Sequence, residues 1–259
     1  YYMSVSSVSV LASGPYITNQ YSIDIQVTYS APSGISVTNC RARVSSLPSG
    51  WAVLDNYNTN YKTLSTCSGT TTFEIMPTST GTISGSDIVV EVTGTDSSGQ
   101  NTVNSGTGSP SGTLVVKDQP VLGIVANVTP SNITNSTPTI TLDYQITNTG
   151  GTSTADTSNL RLVISSTPYN ALVFSNGLAT LSIGNGVLSP SGLTSGTTTL
   201  NTTSSAVGST LSYTIRVTAD NTNQESSRAG SLACSICGAG VFNIILTSGW
   251  NLMSFPLIP

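Results

Sequence analysis

The chain has 259 residues, of which only 7% are charged, and its 7 basic and 11 acidic side chains give a formal net charge of −4. An average soluble domain has roughly 25% charged residues, and seven scattered basic residues form no patch that could follow a phosphate backbone, so no nucleic acid is expected as a partner. The sequence contains no histidine, which is the commonest general base and metal ligand. We therefore predict no catalytic residue, no metal and no cofactor.

The chain begins with Tyr1 rather than Met and has no basic-then-apolar leader. That beginning suits a mature secreted product whose signal has been removed, and an excised fragment would look the same. No run approaches 18 apolar residues, so no membrane span is expected. Four cysteines allow three pairings, and their even number together with secretion favours disulfides. We predict Cys40 with Cys67, and Cys234 with Cys237.

The first half is predicted to consist of short strands separated by turn signals. A Val-rich segment, Met3–Leu11, and the alternating segment Gln20–Tyr29 are the first two strands. In Ile35–Val44 the alternation slips by one residue around Thr38, which predicts a β-bulge. Leu47–Tyr61 is rich in Asn, Gly and Pro and is expected to be a long surface connection. Further strands are expected at Thr70–Ile75, Asp87–Thr95 and Gly112–Lys117.

A three-residue linker, Asp118–Pro120, leads into the second half, and its shortness leaves little freedom between the two halves. The predicted strands that follow are Val121–Thr129, Thr141–Thr147, Leu160–Ser166, Ala171–Ser175, Leu178–Ile183, Thr197–Asn201, Tyr213–Asp220 and Val241–Thr247. No segment combines a 3.6-residue period with good helix formers. The predicted fold class is therefore all-β.

Two sequence repeats divide the chain into similar halves. SIDIQVT, Ser22–Thr28, returns as TLDYQIT, Thr141–Thr147, at an offset of 119 residues, and IVVEVTGTD, Ile88–Asp96, matches YTIRVTAD at Tyr213–Asp220. Glu91 and Arg216 occupy equivalent outward positions in this alignment, and their opposite charges indicate a solvated position. We predict β-sandwich domains at residues 1–118 and 119–248, followed by a strand-like tail at 249–259.

ITNTGGTSTAD, Ile146–Asp156, resembles the immunoglobulin-like adhesion modules of archaeal and bacterial surface proteins. The ending SGWNLMSFPLIP, Ser248–Pro259, is similar to a short motif common in prokaryotic surface-layer and extracellular repeat proteins. Composition and ending together resemble the subunits of archaeal threads and bundling pili, whose β-sandwiches are joined by donated strands. The resemblance implies two immunoglobulin-like β-sandwiches in tandem, a position at the cell surface and a polymer of identical copies, and it implies no active residue.

The tail has no counterpart in the first repeat and is apolar on both faces, as a strand inserted between covering layers would be. We predict that it is donated to the next subunit and adds a strand there. The alternatives are a tail that folds back in cis, a donor at Met3–Leu11 instead, and a chain cut just inside a third domain. The predicted subunit contacts are Trp250, Leu252, Met253, Phe255, Leu257 and Ile258.

Four N-x-S/T sequons predict N-linked glycans, at Asn127, Asn132, Asn135 and Asn201, of which Asn135 is weakened by the nearby Pro138. A surface with so few charges would gain solubility from attached sugar. Three of the sequons fall in the polar entry to the second half, which should be exposed.

The sequence gives only weak signals for a redox, zinc or calcium site. Cys234-Ser235-Ile236-Cys237 has thioredoxin-type spacing but no nearby cation, so a disulfide that pins the loop before the last strand is preferred. Zinc would need a second ligand pair in the same half. Asp55, Asp87, Asp96 and Asp220 lack the spacing of a calcium loop and are interpreted as solvated turn residues.

Together these features predict a non-enzymatic, extracellular structural subunit of a filament or surface layer. The alternative is an adhesin or a carbohydrate-binding stalk segment of a larger surface protein. In that case Trp51, Tyr57 and Tyr61, on the long connection, would be the contact surface.

Overall fold

The computed structural model describes residues 1–133, 139–203, 206 and 208–237. Within these ranges the regular structure is β-strand apart from one short 3-10 helix, Gly85–Asp87, which confirms the predicted all-β class. None of the described segments forms a helix of the length and apolarity needed to cross a membrane.

The first half is built from eleven strands in three sheets. They are β1 (Ser4–Val10), β2 (Tyr16–Ile17), β3 (Ile23–Ser30), β4 (Val37–Ser46), β5 (Ala52–Val53), β6 (Lys62–Thr63), β7 (Gly69–Met76), β8 (Gly81–Ser84), β9 (Val89–Asp96), β10 (Gly106–Gly108) and β11 (Thr113–Lys117). The sheet orders are β1-β3-β7-β5, β10-β9-β4-β6 and β2-β11-β8.

In its described residues, the second half has nine strands in two sheets. They are β12 (Leu122–Thr129), β13 (Asn132–Ile133), β14 (Ile140–Asn148), β15 (Arg161–Thr167), β16 (Leu172–Phe174), β17 (Thr180–Ser182), β18 (Leu193–Thr202), β19 (Gly208–Thr218) and β20 (Ser226–Cys237). The sheet orders are β12-β14-β18-β16 and β13-β20-β19-β15-β17.

The two repeated segments occupy equivalent places in the two halves. The first repeat forms the second strand of one sheet, β3 beside β1 and β14 beside β12, and the second forms the inner strands β9 and β19 of the facing sheet. Each half has its own hydrophobic core between its sheets. Ile25 and Leu142 are fully buried on the first pair of strands, as are Val92 and Val217 on the second. Each half is thus an immunoglobulin-like β-sandwich.

The slip in alternation near Thr38 is a β-bulge, as predicted. The pairing of β4 with β9 changes register between Thr38 and Arg41, and Asn39 in the gap has a φ of 53°. Asparagine tolerates this left-handed conformation better than most residues because its short amide can bond locally. The bulge keeps Cys40 and Ala42 on the buried face.

Two sequence predictions about connections are wrong. Leu47–Tyr61 is not simply a surface connection, because β5 inside it pairs with β7 through Ala52 and Val53. The predicted loop before Val241 is in fact strand β20, which carries Cys234 and pairs with β19 along most of its length. Ser, Ala and Gly dominate β20, and such residues give little strand signal in the sequence.

The linker between the halves is hydrogen-bonded on both sides. The Asp118 carboxylate accepts from the Thr18 hydroxyl at 3.1 Å, and the Asp118 carbonyl accepts from the Ala155 amide at 2.9 Å. Gln119 donates to the Thr18 carbonyl at 3.2 Å and accepts from the Asn223 amide at 2.9 Å. The linker is therefore hydrogen-bonded to both sandwiches.

A second contact joins the halves away from the linker. Tyr21 follows β2 in the chain, and its hydroxyl donates to the carbonyl of Asp220 at 2.6 Å. The Asp220 carboxylate is itself held by Arg161 and by the amide of Asn159. The turn between β19 and β20 is thus fixed within its own sandwich and bound by the other one.

Candidate functional site

An ion-pair and aromatic cluster lies on the outer face of the β10-β9-β4-β6 sheet. β4 places Arg41 and Arg43 on this face, and β9 places Glu91 opposite Arg43. Tyr61, just before β6, lies against both arginines, with its ring centroid 4.4 Å from the Arg41 guanidinium carbon and 4.7 Å from that of Arg43. Such cation–π contacts are favourable even at partly exposed sites.

Glu91 is the centre of the hydrogen bonds in this cluster. One of its oxygens accepts from Arg43 Nε at 2.7 Å and from the Tyr61 hydroxyl at 3.1 Å. Burial tends to raise the pKa of Glu91, but the hydrogen bonds from Arg43, Ser105 and Tyr61 outweigh it and hold that pKa below its ordinary value. The Glu91 side chain is only 17% exposed, so the prediction of a merely solvated position is wrong.

The equivalent position in the second half also carries an ion pair. Arg216 on β19 lies 3.1 Å from Glu225, and both side chains are more than 40% exposed. Exposed pairs of this kind contribute little stability. The ion pair at Glu91 is therefore more buried than the equivalent pair at Arg216.

A groove of about 430 Å³ adjoins the cluster on the Arg41 side. Its polar lining comes from Asn39, Arg41, Thr63, Thr93 and Thr95, on three adjacent strands and the bulge. The Asn39 amide donates to the Thr95 hydroxyl at 3.3 Å, which fixes one wall. Guanidinium and hydroxyl groups converge here on an open space.

The Cys40–Cys67 disulfide is present, as predicted, with 5.3 Å between the Cα atoms. It ties β4 to the segment before β7 beneath the groove. Gly94 on β9 faces this bridge, and a Cβ at that position would lie 2.9 Å from Cys40 Sγ and 2.5 Å from Val37. A side chain at residue 94 would therefore displace the disulfide.

The second predicted bridge lies outside the described residues. Cys234 is buried on β20 and is disulfide-bonded, but the side chain of Cys237, its predicted partner, is not among those described. The two cysteines belong to a strand rather than to the predicted loop.

The aromatic residues of the long connection do not form an exposed contact surface, contrary to the alternative hypothesis. Trp51 is 6% exposed and donates its ring N–H to the Ser79 hydroxyl at 3.2 Å. Tyr57 packs edge-on against the core residue Phe73 with 6.1 Å between ring centroids. Tyr57 and Tyr61 are both half-buried, and Tyr61 lies between the two arginines of the cluster.

Two of the sequon asparagines share one outer face. Asn127 on β12 and Asn201 on β18 are exposed and flank β14 in the β12-β14-β18-β16 sheet. Asn132 is exposed on β13, in the other sheet. Asn135 lies outside the described residues. So does the whole tail, including Trp250, Leu252, Met253, Phe255, Leu257 and Ile258.

The aspartates at the turns bond to their own surroundings. Asp96 accepts hydrogen bonds from Ser98, from the Gln100 amide and from Asn101, and the bonds from Ser98 in particular hold its pKa well below the ordinary value. Asn159 and then Arg161 lower the pKa of Asp220 in the same way. Within the described ranges, no group of three or more potential metal ligands is assembled.

The family model CARDB matches residues 119–226, the greater part of the second half. CARDB modules are immunoglobulin-like, adhesion-type modules of cell-surface proteins and are non-catalytic. No curated protein sequence matches the chain.

Solved structures similar to the chain are remote. Fibronectin(III)-like modules of CbhA from Clostridium thermocellum are 13% identical, with a TM-score of 0.29, over 88% of this chain and 93% of theirs. A 1.5-MDa bacterial ice-binding adhesin is 12% identical, with a TM-score of 0.36, over 89% of this chain and 63% of its own. Salmonella alpha-2-macroglobulin is 11% identical, with a TM-score of 0.31, over 88% of this chain and 16% of its own. Over residues 119–226, the second sandwich is therefore similar to CARDB, a cell-surface, adhesion-type module.

Proposed function

We propose that the chain is a structural subunit of an extracellular filament or surface layer and has no enzymatic activity. The observation that carries this proposal is the hydrogen-bonded junction between the halves. Asp118 and Gln119 bond to both sandwiches, and Tyr21 bonds to the carbonyl of Asp220 across the junction. Two modules fixed to each other suit a protein that transmits load along its length, because a flexible linker would absorb extension first.

The polymer forms by strand donation between subunits. The tail, residues 249–259, is apolar on both faces from Leu252 to Ile258, and an exposed strand of that composition would aggregate unless it were covered. A groove in the next copy would cover it and supply main-chain hydrogen bonds. The chain's partners are then copies of itself, with Trp250, Leu252, Met253, Phe255, Leu257 and Ile258 at the contact.

Removal of residues 249–259 tests donation. Polymers seen by negative-stain microscopy should be lost, while the calorimetric transitions of both sandwiches are retained. A peptide of residues 249–259 should bind the truncated chain, and a control peptide with Phe255→Asp and Leu257→Asp should not. Filaments that persist after the truncation would contradict donation by this segment.

N-linked glycans cover part of the surface in this proposal. Asn127, Asn132 and Asn201 are exposed where the structure describes them, and Asn135 is the fourth candidate. Because Asn127 and Asn201 share one outer face, two glycans there would leave the opposite sheet for contacts between subunits. Peptide mass spectrometry of native material should find hexose-bearing peptides at these sites, and none at the exposed control Asn223, which has no sequon.

The second candidate is an adhesin or carbohydrate-binding stalk segment of a larger surface protein. The match of CARDB, an adhesion-type family, to residues 119–226 favours it. A stalk segment would remain monomeric at concentrations where a filament subunit polymerises. Sedimentation of the full chain from about 1 to 100 μM, which covers association free energies of roughly −8 to −5.5 kcal/mol, distinguishes the two.

A further inference from the structure

We propose that the groove beside Arg41 binds an anionic sugar, that is, a saccharide unit that bears a carboxylate. The groove lies on the outer face of the β10-β9-β4-β6 sheet, in the half of the chain that the CARDB match does not cover. The inference does not depend on polymerisation, and it goes beyond the structural role proposed above.

Arg41 is a cation without an acidic partner in the described part of the chain. Arg43, Arg161 and Arg216 each form an ion pair with a carboxylate. The Arg41 guanidinium instead lies over the Tyr61 ring, with 4.4 Å between its central carbon and the ring centroid. Stacking occupies the flat face of a guanidinium and leaves its N–H edge for two parallel hydrogen bonds to a carboxylate.

The cluster behind Arg41 holds it in place before any ligand arrives. Tyr61 is fixed through its hydroxyl to Glu91, and Glu91 is fixed by Arg43 at 2.7 Å. Because Arg43 neutralises Glu91, that carboxylate does not compete for Arg41. A side chain ordered in advance loses less conformational entropy when it binds.

The rest of the groove supplies partners for sugar hydroxyls. Thr63 on β6 and Thr93 on β9 flank Arg41 directly in the register of the sheet. Thr95 and Asn39 continue the polar wall beyond them. Hydroxyl and amide groups both donate and accept, as sugar hydroxyls do, and about 430 Å³ is within the usual range of small-ligand sites, roughly 300–1,000 Å³.

Local charge also favours an anion at this place. Arg41 and Arg43 both lie on this face, and Glu91, the carboxylate beside them, is paired with Arg43, so Arg41 contributes a positive charge that the pair does not cancel. The chain as a whole carries a net charge of −4, so general attraction of anions does not explain binding. Recognition must come from short-range contacts in the groove.

The test is a titration of the ¹⁵N-labelled full chain with sodium glucuronate, and separately with glucose and with sodium sulfate. We expect saturable amide shifts at Arg41, Thr63 and Thr93 with glucuronate, and much weaker shifts with glucose or sulfate. Arg41→Gln should weaken glucuronate binding by about 10- to 100-fold, the loss expected for a charge-assisted hydrogen bond. Arg228→Gln, which changes an exposed arginine on β20, should leave it unchanged.

A second variant separates recognition from simple charge. Thr93→Val keeps the shape and removes one hydroxyl, so it should weaken glucuronate and leave any residual sulfate shifts unchanged. No shifts with glucuronate, equal shifts with glucose or sulfate, or full binding by a folded Arg41→Gln variant would each overturn the proposal. Shifts that depend on protein concentration without sugar and vanish in Arg41→Gln would identify a contact between copies instead, and would also overturn it.

Discussion

Removal of the Cys40–Cys67 disulfide should destabilise the first sandwich far more than the second. The bridge joins residues 27 apart in the sequence. In the chain-entropy model, release of a loop of this length costs about 3.5 kcal/mol at 25 °C. Unfolding entropies near 2.1 cal/mol/K per residue convert this into a fall in Tm of about 14 °C for a module of roughly 115 residues.

The double variant Cys40→Ala/Cys67→Ala is better than chemical reduction, because Cys234 is disulfide-bonded as well. Val44→Ala is a matched control on the same strand: Val44 is 1% exposed, so it removes buried methyl groups without opening a cross-link. Both variants should lower the Tm of the first sandwich in differential scanning calorimetry. Only the disulfide variant should also raise the urea m-value, because its unfolded chain exposes more surface.

A fall in Tm of less than about 3 °C would show that the unfolded chain is compact without the bridge, since the model then overestimates the entropy released. An equal fall in both transitions would show that the sandwiches unfold as one unit.

Three further predictions concern single side chains. Tyr21→Phe removes the hydrogen bond to Asp220 and should weaken coupling between the halves by about 0.5–1.5 kcal/mol. The two calorimetric transitions should then lie further apart, whereas the exposed control Tyr169→Phe should leave their separation unchanged. Trp51→Ala should lower the free energy of unfolding in urea by about 3–5 kcal/mol, and a loss near zero would mean that Trp51 does not belong to the hydrophobic core. The fold lowers the pKa of Asp96, so the stability that this carboxylate contributes is present above its unfolded pKa of about 3.9 and is lost as pH falls below that value. Asp96→Asn should therefore flatten the acid side of the curve of unfolding free energy against pH.

The strands that could be predicted are those whose side chains alternate over several residues. Ile23, Ile25 and Val27 all have fully buried side chains, and a period of two places them on one face whatever the partners are. The slip at Thr38 was readable for the same reason, because a bulge shifts the period visibly. Local pattern sufficed where one face of a strand is uniformly apolar.

The cluster on the outer face could not be read from the sequence, because it depends on register between distant strands. Arg43 and Glu91 are 48 residues apart, and Tyr61 reaches both arginines only because β6 pairs with β4 at Arg41. The Asn, Gly and Pro content of Leu47–Tyr61 predicts a surface position for Trp51. The pairing of β5 with β7, a long-range event, buries it.

The junction and the cluster around Arg41 should respond differently to salt. At the junction, the Tyr21 hydroxyl and the Gln119 amide bond to carbonyl oxygens, and the Asp118 carboxylate accepts from the neutral Thr18 hydroxyl. Salt screens interactions between two exposed charges over about 8–10 Å but acts weakly on hydrogen bonds in which at most one partner is charged. Coupling between the sandwiches should therefore be nearly independent of ionic strength. Binding at Arg41 uses a charge at the surface and should weaken as salt increases, so one salt series separates the structural contact from the recognition site.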